Sequence, residues 1–161
     1  MPTATASIHV DATREEVFDF VSDPWRIPEY VSLVLEILDV SEGPLGVGSK
    51  ITERAKPGPF PVTTHWEIVE YERPHKHVWR GHQVDMEMKL TKQVTADGSG
   101  TRYEQWMDYR YLPRFRPLGW TLEKLVVDRT VQRSFDQVVL GIKRFVESER
   151  QSPLDGHETP V

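Results

Sequence analysis

The sequence predicts an α+β domain in which a curved antiparallel sheet of about seven strands packs against one long C-terminal helix. Two observations support this prediction. Between residues 32 and 112, short segments rich in β-branched and aromatic residues alternate with turns that contain Gly or Pro, as in a meander of strands. From residue 118 to 147 the chain has no Pro, and its apolar residues recur at helical spacing. Because one helix cannot fill the concave side of such a sheet, we expect a cavity between them.

The N-terminal segment predicts one strand and two short helices. Residues 3–10 alternate weakly between polar and apolar, which favours a strand. Thr13 is followed three residues later by Glu16, the pattern of a capping box at a helix start. This helix should end before Pro24, because the residue that precedes a proline disfavours helical geometry. We expect a second short helix over 25–30, interrupted by Pro28.

Six further strands are predicted within the domain, and a polar tail follows it. One strand is difficult to orient, because neither face of 61–72 is uniformly apolar, and this pattern predicts a β-bulge. Which face of that strand lines the cavity is left open. We expect one domain over 1–148 and a polar, disordered tail over 149–161. The expected strands cover 32–40, 50–56, 61–72, 77–82, 85–95 and 101–112, with a hairpin turn at 97–100.

Composition and charge exclude several classes of protein. The 161 residues fit one domain. The chain has no Cys, which excludes a disulfide framework, a zinc ribbon and a thiol nucleophile. A net charge of −5 argues against a nucleic-acid-binding protein. No apolar stretch approaches the ~20 residues that span a bilayer, so we expect no stable membrane insertion. The first six residues lack a basic region and an apolar core, so we expect no signal peptide and a cytoplasmic location.

Catalytic motifs are missing from the sequence. It contains no Gly-x-Ser-x-Gly, no phosphate-binding Gly-rich loop and no His-Glu-x-x-His, so no cofactor is expected and the catalytic residues are unknown. His65 is a candidate general base, because His titrates near neutral pH. His75, His77 and His82 form a loose cluster without an evident carboxylate partner, and we expect no metal site there.

A series of short segments along residues 3–148 resembles one known superfamily. The chain is similar to the START-related or Bet v 1-like (SRPBCC) superfamily, which has the helix-grip fold, and within it to the bacterial polyketide cyclase/dehydrase-like group. The segments that carry the resemblance are the opening strand and helix at 8–18, Ser-Asp-Pro-Trp-Arg-Ile-Pro-Glu-Tyr at 22–30, Gly-Val-Gly at 46–48, Glu-Tyr-Glu-Arg-Pro at 70–74, Gly-Thr-Arg-Tyr at 100–103, and the two ends of the terminal helix at 117–120 and 142–147.

The resemblance implies that the cavity binds a hydrophobic or amphipathic small molecule, such as a polyketide, a lipid or a quinone. An alternative is a polyketide cyclase or dehydrase that positions its substrate in the same cavity. A third hypothesis is a lipid- or quinone-handling protein that meets a membrane transiently through Trp25, Phe115 and Trp120. A homodimer is left open.

Strand alternation and helical spacing select the residues that should line this cavity. The family pattern favours an inward-facing Trp79. Tyr103, Gln105 and Tyr109 would bring polar groups to an apolar wall, where they bond each other, water or a ligand. Arg129 either anchors a ligand carboxylate or enolate, or reaches the rim or a structural ion pair. Arg110, Arg114 and Arg116 are either solvated surface or a capture site for an anionic head group. The expected ligand-binding residues are Tyr30, Trp66, Trp79, Met86, Met88, Tyr103, Gln105, Met107, Tyr109, Leu122, Val126 and Arg129.

Overall fold

The computed structural model describes residues 3–84, 86–111 and 120–152, of which Thr3, Tyr111 and 120–124 are described by their backbone alone. The elements follow the predicted order, and a short 3₁₀ turn (Pro24–Arg26) joins the first two helices. They are β1 (Thr3–Val10), α1 (Arg14–Ser22), α2 (Ile27–Tyr30), β2 (Val34–Val40), β3 (Lys50–Ala55), β4 (Val62–Glu72), β5 (Lys76–Gln83), β6 (Met86–Asp97), β7 (Gly100–Tyr111) and α3 (Trp120–Gln151).

The seven strands form one antiparallel sheet, and this confirms the predicted fold class. Their spatial order is β1-β7-β6-β5-β4-β3-β2, so β1 and β2 are the two edges. A two-residue turn joins β6 to β7, and Gly98 adopts the positive φ of 62° that such tight turns require. The bulge expected in β4 is present between Ile68 and Glu70, where the pairing with β5 shifts register. Because the shift exchanges the two faces, neither face of 61–72 is apolar along its whole length.

The local signals at the N-terminus act as predicted, with one correction. The Thr13 hydroxyl accepts a hydrogen bond from the Glu16 amide at 3.2 Å, and the Glu16 carboxylate accepts one from the Thr13 amide at 2.7 Å. This capping box starts α1. The prediction that Pro28 interrupts the second helix was wrong, because Pro28 lies in the first turn of α2. A proline is tolerated there, since a first-turn amide has no partner within the helix.

Helix α3 closes the domain by binding the edge strand β1. The Gln132 side-chain amide donates to the Thr5 carbonyl at 2.8 Å, and Lys143 Nζ donates to the His9 carbonyl at 3.0 Å. These bonds use backbone groups that an edge strand otherwise leaves unpaired. The helix ends at Gln151, beyond the expected domain boundary at 148, and residues 153–161 lie outside the described part of the chain. The tail therefore stays a prediction.

None of the helices within 3–84, 86–111 and 120–152 has the length and apolar character needed to cross a bilayer.

Two parts of the interior differ in how they are filled. We call the first the filled core, a cluster of side chains beneath α1 that have no exposed surface. We call the second the hollow half, where the inward faces of β3 to β7 surround empty space opposite α2 and α3. The filled core comprises Val10, Ala12, Val17, Phe18, Val21, Val94, Tyr103 and Ile142.

Candidate functional site

A cavity of about 700 Å³ occupies the hollow half. Its volume lies in the range of small-molecule sites, which is roughly 300–1,000 Å³. The segment 57–60, between β3 and β4, borders the cavity on one side, and the middle of α3 borders it on the other. Phe60 and Val126 line the cavity and are also 76% and 64% exposed. The cavity therefore reaches solvent at these two side chains, and we call this region the mouth.

Most of the wall is apolar, and strand periodicity explains how β6 contributes to it. Met86, Met88 and Leu90 are successive inward-facing residues of β6, because side chains alternate between the two faces of a strand. Met107 lies opposite Leu90 on the paired strand β7. Methionine side chains adapt their shape to what they contact, so this wall suits an apolar ligand of variable outline.

A close approach of two strands positions Trp66 in the wall. Trp66 pairs with Gly81 across β4 and β5. A Cβ atom at Gly81 would lie 2.5 Å from two carbons of the indole ring, so only glycine leaves space for it. The indole N–H then donates to Glu53 Oε1 at 2.9 Å. Gly81 thus fixes the ring that holds the Glu53 carboxyl group at the cavity wall.

Lys92 is the unexpected charge at this wall. Its side chain is buried, and Nζ donates to the Val21 carbonyl at 2.8 Å, with the Tyr30 hydroxyl at 3.5 Å. Nζ also lies 5.8 Å and 5.5 Å from the ring centroids of Tyr30 and Trp79, within cation–π distance. Among the described residues, no carboxylate lies within ion-pair distance of Lys92. Burial lowers the pKa of Lys92 to about 8, while the more distant Glu53 charge acts in the opposite direction.

Glu53 and Lys92 form a separated pair of ionisable groups at one cavity. Both residues line it. Burial raises the pKa of Glu53, and the Trp66 hydrogen bond and the Lys92 charge oppose this rise. The two pKa values therefore move towards each other and towards neutrality. Such a pair can orient a polar ligand group, and it can also donate and accept protons in a reaction.

The structure brings most of the sequence-predicted site residues to the cavity. Trp66 lies on the inward face of β4. In the part of this strand that precedes the bulge, the face that carries Trp66 therefore lines the cavity. Tyr30 is held in place where α2 packs closely on Gly141 of α3. Their contact with a ligand stays a prediction. The predicted residues that line the cavity are Tyr30, Trp66, Trp79, Met86, Met88, Gln105, Met107 and Val126.

Three predicted residues do not line the cavity. Tyr103 is buried in the adjacent core, where its hydroxyl donates to Gln105 at 2.8 Å. Tyr109 is buried as well, but its hydroxyl donates to Asp128 and ties β7 to α3. Arg129 is exposed, so its guanidinium group needs no buried partner.

The exposed position of Arg129 agrees with the alternative in which it reaches the rim, and it follows from the helical phase of α3. Leu125 and Val126 are exposed, only Val126 borders the cavity, and a stripe rotated from them faces inward. The side chain of Leu122 lies outside the described part of the structure. The inward stripe consists of Val127, Val131, Ser134, Phe135 and Val138.

The remaining candidates do not converge on a second site within the described residues. His65 is exposed on the outer face of β4, where Nδ1 lies 3.2 Å from the Thr52 hydroxyl. His77 is buried beside Phe18, and burial lowers its pKa. No group of three potential metal ligands is found in the described parts of the chain.

The exposed basic and aromatic candidates also lie away from the cavity wall. Arg110 is exposed and pairs with Glu87 at 2.8 Å. Trp25 is exposed as well. Arg114, Arg116 and Phe115 lie outside the described residues, as does the side chain of Trp120.

Sequence reasoning missed Glu53 and Lys92, although the signals were present. Lys92 continues the alternation of Met86, Met88 and Leu90, so its side chain shares their face. Glu53 lies two residues from Ile51 and from Ala55 and faces inward with both. The segment 57–60 lies between two expected strands and was not expected at the site, yet it borders the cavity.

Comparisons with known proteins agree with this architecture. A family described as polyketide cyclase/dehydrase and lipid transport matches residues 1–147. No curated protein sequence matches the chain. A structure of TTHA0849 from Thermus thermophilus aligns at a TM-score of 0.77 with 19% identity, covering 92% of this chain and 99% of the other. The Zhui aromatase/cyclase from Streptomyces sp. R1128 aligns at 0.79 with 12% identity, covering 96% and 98%. Ara h 8.0201 aligns at 0.62 with 14% identity, covering 91% and 97%.

The structural matches have low identity, so they support the fold alone. The family match extends over nearly the whole described domain and agrees with the resemblance found in the sequence. The chain therefore belongs to the polyketide cyclase/dehydrase and lipid transport family and has the Bet v 1-like helix-grip fold.

Proposed function

We propose that this protein binds an amphipathic small molecule, with the apolar part of the ligand in the hollow half. The observation that carries the proposal is the cavity of about 700 Å³, whose mainly apolar wall includes two buried ionisable side chains. An apolar wall favours burial of hydrocarbon surface. The polar groups fix the orientation of a ligand, and in small-molecule sites a few polar side chains usually have this role within an apolar wall.

Binding of a neutral apolar dye tests this proposal without involving any charged head group. The dye N-phenyl-1-naphthylamine fluoresces strongly in apolar surroundings, and it should bind the wild-type protein saturably. Val131→Trp fills the cavity from α3 and should weaken dye binding at least about tenfold, because the dye and the indole compete for the same volume. Gln137→Trp, at an exposed position of the same helix, is the matched control and should leave binding unchanged.

Two results would contradict the proposal. One is a wild-type protein that does not bind the dye. The other is equal dye binding by Val131→Trp and the wild type, because the dye would then lie outside the cavity. Native mass spectrometry of the purified protein would further show whether it retains a bound compound.

A second function for the same cavity is cyclisation and dehydration of a polyketide. The separated pair favours it, because Glu53 is placed to accept a proton and Lys92 to donate a hydrogen bond to a carbonyl oxygen. The test is conversion of a synthetic poly-β-keto thioester to an aromatic product, followed by absorbance. Glu53→Gln should abolish turnover and retain dye binding. Turnover that survives this substitution would exclude the proposed role of Glu53. The cytoplasmic location stays a prediction, and a homodimer stays open.

A further inference from the structure

Lys92 lies at the closed end of the cavity. Counting along β6, the inward-facing residues begin with Met86 and end with Lys92, and Val94 already belongs to the filled core. Six residues of strand span ~20 Å at ~3.3 Å per residue. Met86 lies at the mouth end, since its neighbour Gln83 contacts Thr64, close to the segment 57–60. An apolar path therefore leads from the mouth to one buried cation.

The bonding capacity of this cation is not exhausted. An ammonium group carries three N–H donors. The Val21 carbonyl takes one at 2.8 Å, and the Tyr30 hydroxyl, at 3.5 Å, is at the limit of hydrogen-bond distance. At least one donor has no protein acceptor among the described residues. A buried ammonium without a contacting anion is unfavourable, so an anion that reaches it would gain both charge neutralisation and hydrogen bonds.

We propose that Lys92 binds the acidic head group of the ligand, a carboxylate or an acidic enol, while the apolar tail lies along Met88 and Leu90 towards the mouth. This inference rests on the proposed function and names the class of ligand. It also moves the anion anchor from Arg129, which is exposed, to the inner end of the cavity.

Glu53 is the other charged side chain on the described cavity wall, and it is compatible with an acidic ligand. Its carboxyl group is held on the β3 side by the Trp66 indole at 2.9 Å. Burial raises the pKa of Glu53, and an arriving anion would raise it further. Both effects favour the neutral form of Glu53, which would reduce the repulsion between its carboxyl group and a bound anion.

Two probes with the same chain and different head groups test the inference. Dodecanoate and dodecan-1-ol are compared by displacement of N-phenyl-1-naphthylamine at pH 7. The wild-type protein should bind dodecanoate about tenfold or more tightly, as expected for a hydrogen bond to a charged group. Lys92→Met should abolish this preference and retain dodecan-1-ol binding. Lys89→Met removes an exposed lysine from the same strand and should retain the preference.

The outcomes separate this inference from the proposed function. If the dye itself does not bind the wild-type protein, the proposed function fails. If both probes bind the wild type equally, or if Lys92→Met retains the preference, the ligand class inferred here is wrong. The wild-type comparison does not depend on any variant folding. Lys92→Gln, which keeps a donor but no charge, provides a second variant and should also lose the preference.

Discussion

The filled core and the hollow half are built by the same sheet and helix, yet they use buried surface differently. Beneath α1, Phe18 has no exposed surface and packs against Tyr71 and His77 at centroid distances of 5.5 Å and 5.2 Å. In the hollow half, Met88 is also buried, but one side of it faces empty space. The comparison shows that burial alone does not identify a structural residue. The two regions differ in their packing. Side chains of the filled core contact protein atoms on all sides, whereas side chains of the hollow half also border empty space.

The polar groups of the two regions differ in what adjoins them. In the closed part of the interior, the Thr101 hydroxyl donates to the Ala12 carbonyl at 2.7 Å, and the Tyr103 hydroxyl donates to Gln105. In the hollow half, Lys92 retains bonding capacity and forms no ion pair with any described residue.

His77 Nε2, beside Phe18, has no hydrogen-bond partner among the described residues either, but His77 does not line the cavity. Buried polar groups normally have partners. Of these two incompletely paired groups, only Lys92 lies beside an open cavity, where a ligand can supply the missing acceptor.

The largest effect is expected in the filled core. Phe18→Ala removes a ring that is packed on all sides, and the loss of contacts plus the new cavity should destabilise the domain by about 3–5 kcal/mol. Urea denaturation monitored by circular dichroism measures the change. A loss below about 1 kcal/mol would show that the region beneath α1 is not tightly packed, and the comparison would no longer hold.

The next largest effect concerns the buried charge. Lys92→Met should stabilise the domain by roughly 1–3 kcal/mol at pH 7, because it replaces an ammonium group whose pKa burial lowers to about 8. Below pH 8 Lys92 is protonated in both the native and the unfolded state, and the native state bears the full free-energy cost of burying the ammonium group. Between about pH 8 and 10.5 the native state loses the proton while the unfolded chain keeps it, so wild-type stability rises with pH.

The difference in free energy of unfolding between Lys92→Met and the wild type should therefore be largest below pH 8 and should disappear above about pH 10.5. Urea titrations of both proteins across this range measure it. Titrating groups that do not interact with Lys92 cancel in the comparison, whereas Glu53 and His77, whose pKa values the Lys92 charge lowers, add a contribution of their own. A difference in unfolding free energy that is independent of pH would show that burial of the Lys92 ammonium group does not destabilise the domain.

An effect of similar size and opposite sign is expected for the methionine wall. Met88→Ala should cost about 2 kcal/mol, the low end of the range for a buried methionine, since the side chain already borders empty space and its removal only enlarges that space. The same variant should weaken binding of N-phenyl-1-naphthylamine. A stability loss as large as that of Phe18→Ala, with dye binding unchanged, would indicate that Met88 serves packing alone.

The smallest effect is expected for Arg129. Arg129→Ala should change stability by less than about 0.5 kcal/mol and should leave dodecanoate binding unchanged, because the side chain is exposed. The displacement assay measures the second quantity. A clear loss of dodecanoate affinity would return Arg129 to the role of anion anchor and would contradict the assignment to Lys92.

The sequence predicted the fold well because local signals and long-range pattern agree. The Thr13 capping box, the hairpin turn at Gly98 and the change from strand to helical periodicity each occur where expected. The site was harder to predict, because strand alternation tells which face is inward but not whether the interior is filled there. Tyr103 and Met107 share one face of β7, and only Met107 reaches the cavity.

Two further errors have physical causes that a sequence does not reveal. The apolar residues of α3 that recur at helical spacing suggested a buried stripe, yet Leu125 and Val126 among them are exposed, and Val126 lies at the mouth. Lys92 was overlooked because lysine is rarely buried, although its parity with Met88 placed it inward. At a ligand site, exposed apolar and buried charged residues are expected exceptions to the usual pattern.

The central claim is that the hollow half holds the ligand, and methionine methyl groups test it most directly. The chain has four Met, of which Met86, Met88 and Met107 line the cavity, and Met1 serves as the reference. After labelling with [¹³C-methyl]methionine, NMR titration with dodecanoate should shift the three cavity signals together and leave Met1 unchanged. If the three signals stay in place while dodecanoate binds, the ligand lies elsewhere and the account is wrong.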